Sequence, residues 1–320
     1  MRLVTVLAAC LAATVSLGSH AQGYPERPVR AVVPFPAGGG TDILARMLLQ
    51  RMSQRMGATF VIDNRAGAGG TIGTEIVAKA PPDGYTILFP SSSHTINPSV
   101  YRKLGYDPAR AFAPVSLIVA GPGLLVVHPS VAAQNVKELI ALARAKPGQL
   151  NYASAGSGTP PHLSAELFKS MAGIDMVHVP YKGNPPAFVD LIAGAVSVSF
   201  PTITSGLPPV RSGKLRALGV TSRQRSSVIP EIPTIAEGGL AGYEATTWYG
   251  MLAPAGTPAA IVNRLHQQIE HALKLPDIRE KLLAQGLEPV GNTPAEFSAI
   301  IAAELVKWRK VVASAGVKAE

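Results

Sequence analysis

Two glycine-rich turns hold the residues best suited to chemistry, and that chemistry is the binding of an anion. The first reads Val32-Val33-Pro34-Phe35-Pro36-Ala37-Gly38-Gly39-Gly40-Thr41-Asp42-Ile43-Leu44. The second reads Asn151-Tyr152-Ala153-Ser154-Ala155-Gly156-Ser157-Gly158-Thr159-Pro160-Pro161-His162-Leu163. Each follows a short apolar run and opens into a helical pattern. The first N–H groups of a helix therefore lie unpaired above the end of a strand. Glycine has no Cβ to shield the backbone, so a ligand can approach closely. Two such turns on separate lobes can grip one small anion from both sides. Taken singly, either turn reads equally well as an ordinary strand-to-helix connection.

Spacing argues against the common catalytic constellations. A dinucleotide fingerprint needs a third glycine where Gly38-x-Gly40 is followed by Ile43, Gly67-x-Gly69 by Ile72 and Gly156-x-Gly158 by Pro161. Gly213-Lys214 is followed by Leu215, not by the Ser or Thr of a phosphate loop. Ser157 has Ala155 and Thr159 where a nucleophile elbow needs glycines. His266 and His271 are five apart, which points them away from each other on a helix, and no HExxH occurs. No cofactor and no metal is expected. A hydrolase is left without a visible nucleophile–base set.

Residues 1–21 combine Arg2, an apolar stretch over 3–17 and a Ser19-His20-Ala21 cleavage site. That pattern predicts a secretory signal peptide, too short for a span of roughly 20 apolar residues. The mature protein is expected to begin at or near Gln22 and to reside in the periplasm. Leu7-Ala8-Ala9-Cys10 has the form of a lipid-attachment box, but the apolar run before Cys10 is short and continues past it. Cys10 is the only cysteine, so cleavage leaves no disulfide and no thiolate chemistry.

The remainder is long enough for about two domains by the usual ~150-residue guide. A hydrophobic content of 47% with 15% charged residues describes a well-cored globular chain. The net charge of +9 is scattered, with one mild concentration at Arg211, Lys214, Arg216, Arg223 and Arg225. Without aromatic residues interleaved among them, a nucleic-acid partner is unsupported. A positive field would speed capture of acidic solutes, although a basic surface that serves only solubility has the same composition.

Elements to position the turns are legible. Apolar runs over 29–33, 59–62, 86–89, 124–127, 176–179, 196–200 and 215–220 read as strands buried on both faces, as in parallel sheets. Leu44, Met47, Leu48 and Met52 follow helical spacing, with Thr41 or Asp42 as N-cap and Gly57 as stop. Val136, Leu139 and Ile140 mark a second helix, and Ile261, Leu265, Ile269 and Leu273 a third. Thr293-Pro294-Ala295-Glu296 predicts a capping box before the stripe Phe297, Ile300, Ile301, Leu305, Trp308 and Val312. The C-terminal helices are expected to fold back onto the first lobe. The alternation of strands and helices argues an α/β architecture. Extended segments over 116–127 and 243–253 predict two hinge crossings. Lobe 1 would then comprise 22–120 with 247–320, and lobe 2 would comprise 121–246.

With these motifs in place the chain resembles a Bug-type solute receptor of the tripartite tricarboxylate transporter family. The likeness begins at Tyr24-Pro25 and Pro28-Val29-Arg30 and passes through the first turn, Asn64-Arg65-Ala66-Gly67-Ala68-Gly69-Gly70 and Pro82-Asp83-Gly84-Tyr85-Thr86. It continues through Ile96-Asn97-Pro98, Tyr106-Asp107-Pro108, the second turn and His178-Val179-Pro180-Tyr181-Lys182-Gly183. It closes with Gly213-Lys214-Leu215-Arg216-Ala217-Leu218, Ile232-Pro233-Thr234, Gly242-Tyr243-Glu244 and Ala253-Pro254-Ala255-Gly256-Thr257-Pro258.

The resemblance implies a two-lobed periplasmic binding protein of type II-like fold, not an enzyme, that closes about its two hinge crossings. It implies a ligand carboxylate held largely by backbone amides and ordered water from both turns. On this chain those positions are Phe35, Ala37, Gly38, Gly40, Thr41 and Asp42, with Ala155, Gly156, Ser157, Thr159 and His162 opposite. Asp42 has an alternative role as a helix-start acid, and His162 an alternative one as a satisfied core histidine. His94, after a predicted strand, is a more distant candidate. Gly156 is expected to resist replacement, and Ser154→Ala to be mild. Where relatives often carry an acid, Phe200-Pro201-Thr202 has none, which makes amino acids poorer candidates as ligand. The expected partners are a small carboxylate and membrane transporter subunits, the receptor itself being a monomer. A ligand-loaded sensor working with a kinase is the alternative use of the same cleft.

Overall fold

The computed structural model describes residues 23–314. The expected signal segment and Cys10 lie outside the described residues. In chain order the first elements are β1 (Val29–Val33), α1 (Gly40–Met56), β2 (Phe60–Asn64), α2 (Thr71–Ala78), β3 (Thr86–Leu88) and α3 (Ser93–Val100). There follow β4 (Phe112–Pro122), β5 (Leu124–Val127), α4 (Val136–Ala145), β6 (Asn151–Ser154), α5 (Pro160–Ala172), β7 (Val177–Pro180) and α6 (Asn184–Ile192). Then come β8 (Val198–Ser199), α7 (Ile203–Arg211), β9 (Arg216–Val220) and β10 (Thr246–Pro254). The described chain ends with α8 (Ala259–Lys274), α9 (Pro276–Ala284), β11 (Glu288–Pro289) and α10 (Pro294–Ser314).

The strands form two sheets, ordered β11-β4-β10-β3-β1-β2 and β7-β6-β8-β5-β9, and the fold is two-lobed. In each, the strand that precedes a glycine-rich turn is flanked by parallel neighbours: β1 by β2 and β3, β6 by β7 and β8. The inner strands β1 and β6 are almost wholly buried, but the edge strands β2 and β7 are half-exposed, so the expected burial on both faces holds only for the inner ones. Contrary to the all-parallel expectation, both sheets are mixed. β10 runs antiparallel to β3 and β4, and β5 antiparallel to β8 and β9. A strand that arrives from the other lobe has no crossover helix to return it to the same end, so it enters reversed. Residues expected only as extended crossings thus include full sheet members, with β4 and β10 paired along their lengths.

The chain passes between the sheets at Gly123 and again between β9 and β10. Thr221 braces the two passages against each other. Its Oγ1 accepts the Gly123 N–H at 2.6 Å and donates to the Ala245 carbonyl. Its N–H donates to Gly123 O and its carbonyl accepts from Ala245 N–H.

Local signals act as their chemistry requires. Gly57 and Gly173 end α1 and α5 in the left-handed conformation. Thr293 Oγ1 accepts the Glu296 N–H while Glu296 accepts the Thr293 N–H, a reciprocal capping box. α10 packs on α3 and β4 as expected, yet it also reaches the other lobe. Trp308 and Val312 share an apolar cluster with Ile96, Val100 and Leu163 of α5.

Candidate functional site

The first turn leaves the end of β1 and enters α1, whose N-cap is Gly39 and has no side-chain cap. This corrects the expected cap at Thr41 or Asp42: both lie inside the first helical turn. Asp42 reaches back instead, accepting the Gly38 N–H and Arg46 Nε, each at 2.9 Å, and Asn64 Nδ2 at 3.0 Å. Asn64 Nδ2 also donates to the Phe35 carbonyl. Burial opposes the Asp42 charge, but the bonds from Arg46, Gly38 and Asn64 outweigh it and hold the carboxyl below its ordinary range. Asp42 is therefore a strut beneath the turn and not a wall of the cleft. With its side chain occupied there, it leaves the first-turn amides of α1 uncapped.

The second turn leaves β6 and enters α5. Gly156, at φ +121°, donates its N–H to Ser154 Oγ, and Gly158, at φ +73°, donates to His162 Nδ1. Thr159 donates both N–H and Oγ1–H to the Gly156 carbonyl. The helix then starts with Pro160 and Pro161, which have no N–H to offer. Several amides expected to grip a ligand from this side are thus engaged within the turn itself.

His162 belongs to the support of the turn. Its ring stacks on His178 at 4.2 Å, and His178 stacks on Tyr152 at 4.8 Å. His178 Nε2 lies 2.7 Å from Ser154 Oγ. Burial, with a smaller contribution from Lys169, lowers His162 to about 4. The ring is neutral, as an acceptor at Nδ1 must be. Beneath the stack, Tyr152 Oη donates to Glu166, which pairs with Lys169 at 2.9 Å. His94 lies elsewhere: it is buried against Phe112, with Nε2 3.2 Å from the Pro108 carbonyl. The more distant candidate thus proves to be a core residue. Ser91, three positions earlier, is what reaches the cleft.

Between the turns lies a narrow, partly open pocket. Of the expected residues, Phe35, Gly40, Thr41, Ala155 and Thr159 line it. Gly156 and Ser157 line an adjoining cavity, and Ala37 and Gly38 sit exposed on the outer side of their turn. The sequence did not single out Asn184, Thr202, Thr247 or Tyr249 as binding residues, yet all four line the pocket. Lys182-Gly183-Asn184 after β7 repeats the strand–glycine–helix grammar and was the available signal. Tyr249 carried none, because β10 reaches the site only through its place in the sheet.

The walls are built from helix beginnings. Residues at the N-termini of α1, α5, α6 and α7 all face the pocket, and none of these helices has a side-chain N-cap bond. Each N-terminus is equivalent to roughly half a positive charge. Tyr249 is the one ionisable side chain on the wall, and burial raises its phenol to about 12. Neutral donors and acceptors complete it: Asn184 Nδ2 donates to Ser205 Oγ at 3.0 Å, and Ser205 Oγ lies 3.1 Å from Thr202 Oγ1. Prolines open α5 and α6, so direct N–H donation to a carboxylate falls to the starts of α1 and α7, with the dipoles of all four helices adding to it. Among the described residues no cluster of three metal-ligating side chains occurs, and no helix is long and apolar enough to cross a membrane.

Over residues 44–317 the chain matches the family described as the tripartite tricarboxylate transporter family receptor. It is similar to Rpa4515 of R. palustris, solved with adipate, at 40% identity and a TM-score of 0.90, covering 93% of this chain and 100% of that one. It is similar to the periplasmic binding protein BugD at 36% identity and a TM-score of 0.89, with 93% and 100% coverage. It is also similar to MatC from Rhodopseudomonas palustris, solved with bound malate, at 33% identity and a TM-score of 0.86, with 90% and 100% coverage.

Proposed function

The chain belongs to the tripartite tricarboxylate transporter receptor family, a family of solute-binding proteins, and from that premise we propose that it captures a small carboxylate in the periplasm for the membrane subunits of such a transporter. One observation carries the proposal: four helix N-termini face a pocket whose side chains are neutral. That arrangement suits a single carboxylate and gives an ammonium group no partner. Amino acids are therefore disfavoured, in keeping with the lack of an acid in Phe200-Pro201-Thr202. The adipate and malate of the two similar structures are ligands of the same chemical class.

In this proposal Phe35, Gly40, Thr41, Ala155 and Thr159 touch the ligand. Asp42, His162 and Ser154 hold the turns in shape. Lobe 1 (22–120 with 247–320) and lobe 2 (121–246) close about the two crossings, and the monomeric receptor reaches the periplasm after loss of residues 1–21. Mass spectrometry of ligand released from protein purified from its periplasm tests the core of it. An organic acid that rebinds in calorimetry is the expected result. Release of an amine or a neutral sugar would overturn it.

A further inference from the structure

We propose that the C-terminal helix α10 is a latch: its last turns join the lobes at Leu163, and this contact, outside the ligand pocket, sets part of the binding affinity. It rests on the carboxylate capture and hinge closure proposed above. The first turns of α10 are anchored in lobe 1. Phe297 and Ile301 pack with Val32, Leu88, Trp248 and Leu252. Glu304 accepts Trp248 Nε1 at 2.7 Å and Thr95 Oγ1 at 2.8 Å. Farther along, Trp308 and Val312 leave that core and form a separate apolar cluster with Ile96, Val100 and Leu163. Of these, Leu163 belongs to lobe 2.

Leu163 is fully buried and stands in the first turn of α5. Thr159, Pro160 and Pro161 at the same helix start line the ligand pocket. The latch therefore grips the piece of lobe 2 that closes on the ligand. Beside it the lobes meet without room to spare. A Cβ on Gly158 would overlap Asn97 Oδ1, and one on Gly69 would overlap the Ser157 carbonyl.

Parting the lobes exposes the apolar surface that Leu163 buries against α10, which opposes opening. Packing alone holds the indole there, since among the described residues Trp308 Nε1 has no protein partner. A contact of this kind is non-directional, so it can part and re-form without breaking a polar bond.

The test is calorimetry with adipate, malate and the unbranched monocarboxylates from butyrate to octanoate, on wild type, Leu163→Ala, Trp308→Leu and the double variant. Each single variant is expected to bind the best of these acids about tenfold more weakly than wild type. The double variant should lose no more than the weaker single one, because both act through one contact. Leu163→Ala also loosens α5, so Trp308→Leu, confined to the other lobe, decides; Val312→Ala, a smaller truncation of the same cluster, replaces it if it does not fold. The chain has two tryptophans, and Trp248 lies within lobe 1. Saturating acid should therefore shield wild-type emission from acrylamide, and Trp308→Leu should lose that response. Wild-type affinity in the folded α10 variant overturns the latch, as do losses that add in the double variant or emission that saturating acid leaves equally quenched. If none of these acids binds wild type, the carboxylate function fails and the latch falls with it.

Discussion

Tyr101 of the first lobe donates its hydroxyl to the Ser157 carbonyl of the second at 2.8 Å, directly across the cleft. In the hinge closure proposed above, this bond forms only when the lobes are together and favours the closed form. It sits at the rim of the adjoining cavity, on a turn that its own internal bonds hold rigid.

Tyr101→Phe removes this bond without disturbing either core. A neutral hydrogen bond contributes about 0.5–1.5 kcal/mol, so ligand affinity should fall roughly 2- to 12-fold. Thermal stability of the ligand-free protein should barely change. Affinity equal to wild type in calorimetry would show that closure does not depend on this contact.

Gly40→Ala tests the first seat. A Cβ at Gly40 would lie 2.9 Å from Tyr249 Oη and 3.5 Å from Thr202 Oγ1. Crowding of this kind costs about 1–3 kcal/mol, or roughly 5- to 150-fold in affinity. The helix start tolerates alanine, so the fold should persist. Adding Tyr249→Phe removes the colliding oxygen and should recover part of the loss. No recovery in the double variant would place the ligand elsewhere.

Ser154→Ala should be severe, against the expectation drawn from sequence. Ser154 Oγ accepts the Gly156 N–H and pairs with His178 Nε2. Removing it strands a buried donor, at about 1–3 kcal/mol. Gly156→Val should abolish binding, since its φ is +121° and its Cβ would lie 3.1 Å from the Tyr181 carbonyl. Chemical unfolding of the Ser154 variant that matches wild type would show the turn to be held by other bonds.

Acid should destabilise the protein through buried neutral histidines. Burial lowers His94 and His162 to about 4 and His178 to about 3, from an ordinary 6.5. Below pH 6.5 the unfolded chain takes up protons that the folded chain refuses. Stability is therefore full above that pH and falls as pH drops toward 4, by up to about 1.4 kcal/mol per pH unit for each histidine. Denaturant midpoints at pH 7, 6 and 5 should decline accordingly. His94→Gln should flatten the slope by about one proton, and an unaltered slope would remove His94 from the account.

The sequence by itself determined the alternation of strands and helices, the two glycine turns and the class of chemistry, because these depend on local patterns. Glycines before a helix, a capping box at Thr293 and Glu296, and apolar runs act over a few residues and read the same in any context. Family membership was equally legible, since it lies in short motifs spread along the whole chain. Only the tertiary structure decided the partners of each polar side chain. Asp42 and His162 stood in the right turns, but Asn64, Arg46, Gly158 and His178 drew them inward to satisfy buried donors. Thr202, Asn184 and Tyr249 reached the pocket from distant segments because two sheets and a hinge brought them together. Long-range pairing sets which groups are desolvated and which remain unsatisfied, and that decides a binding site.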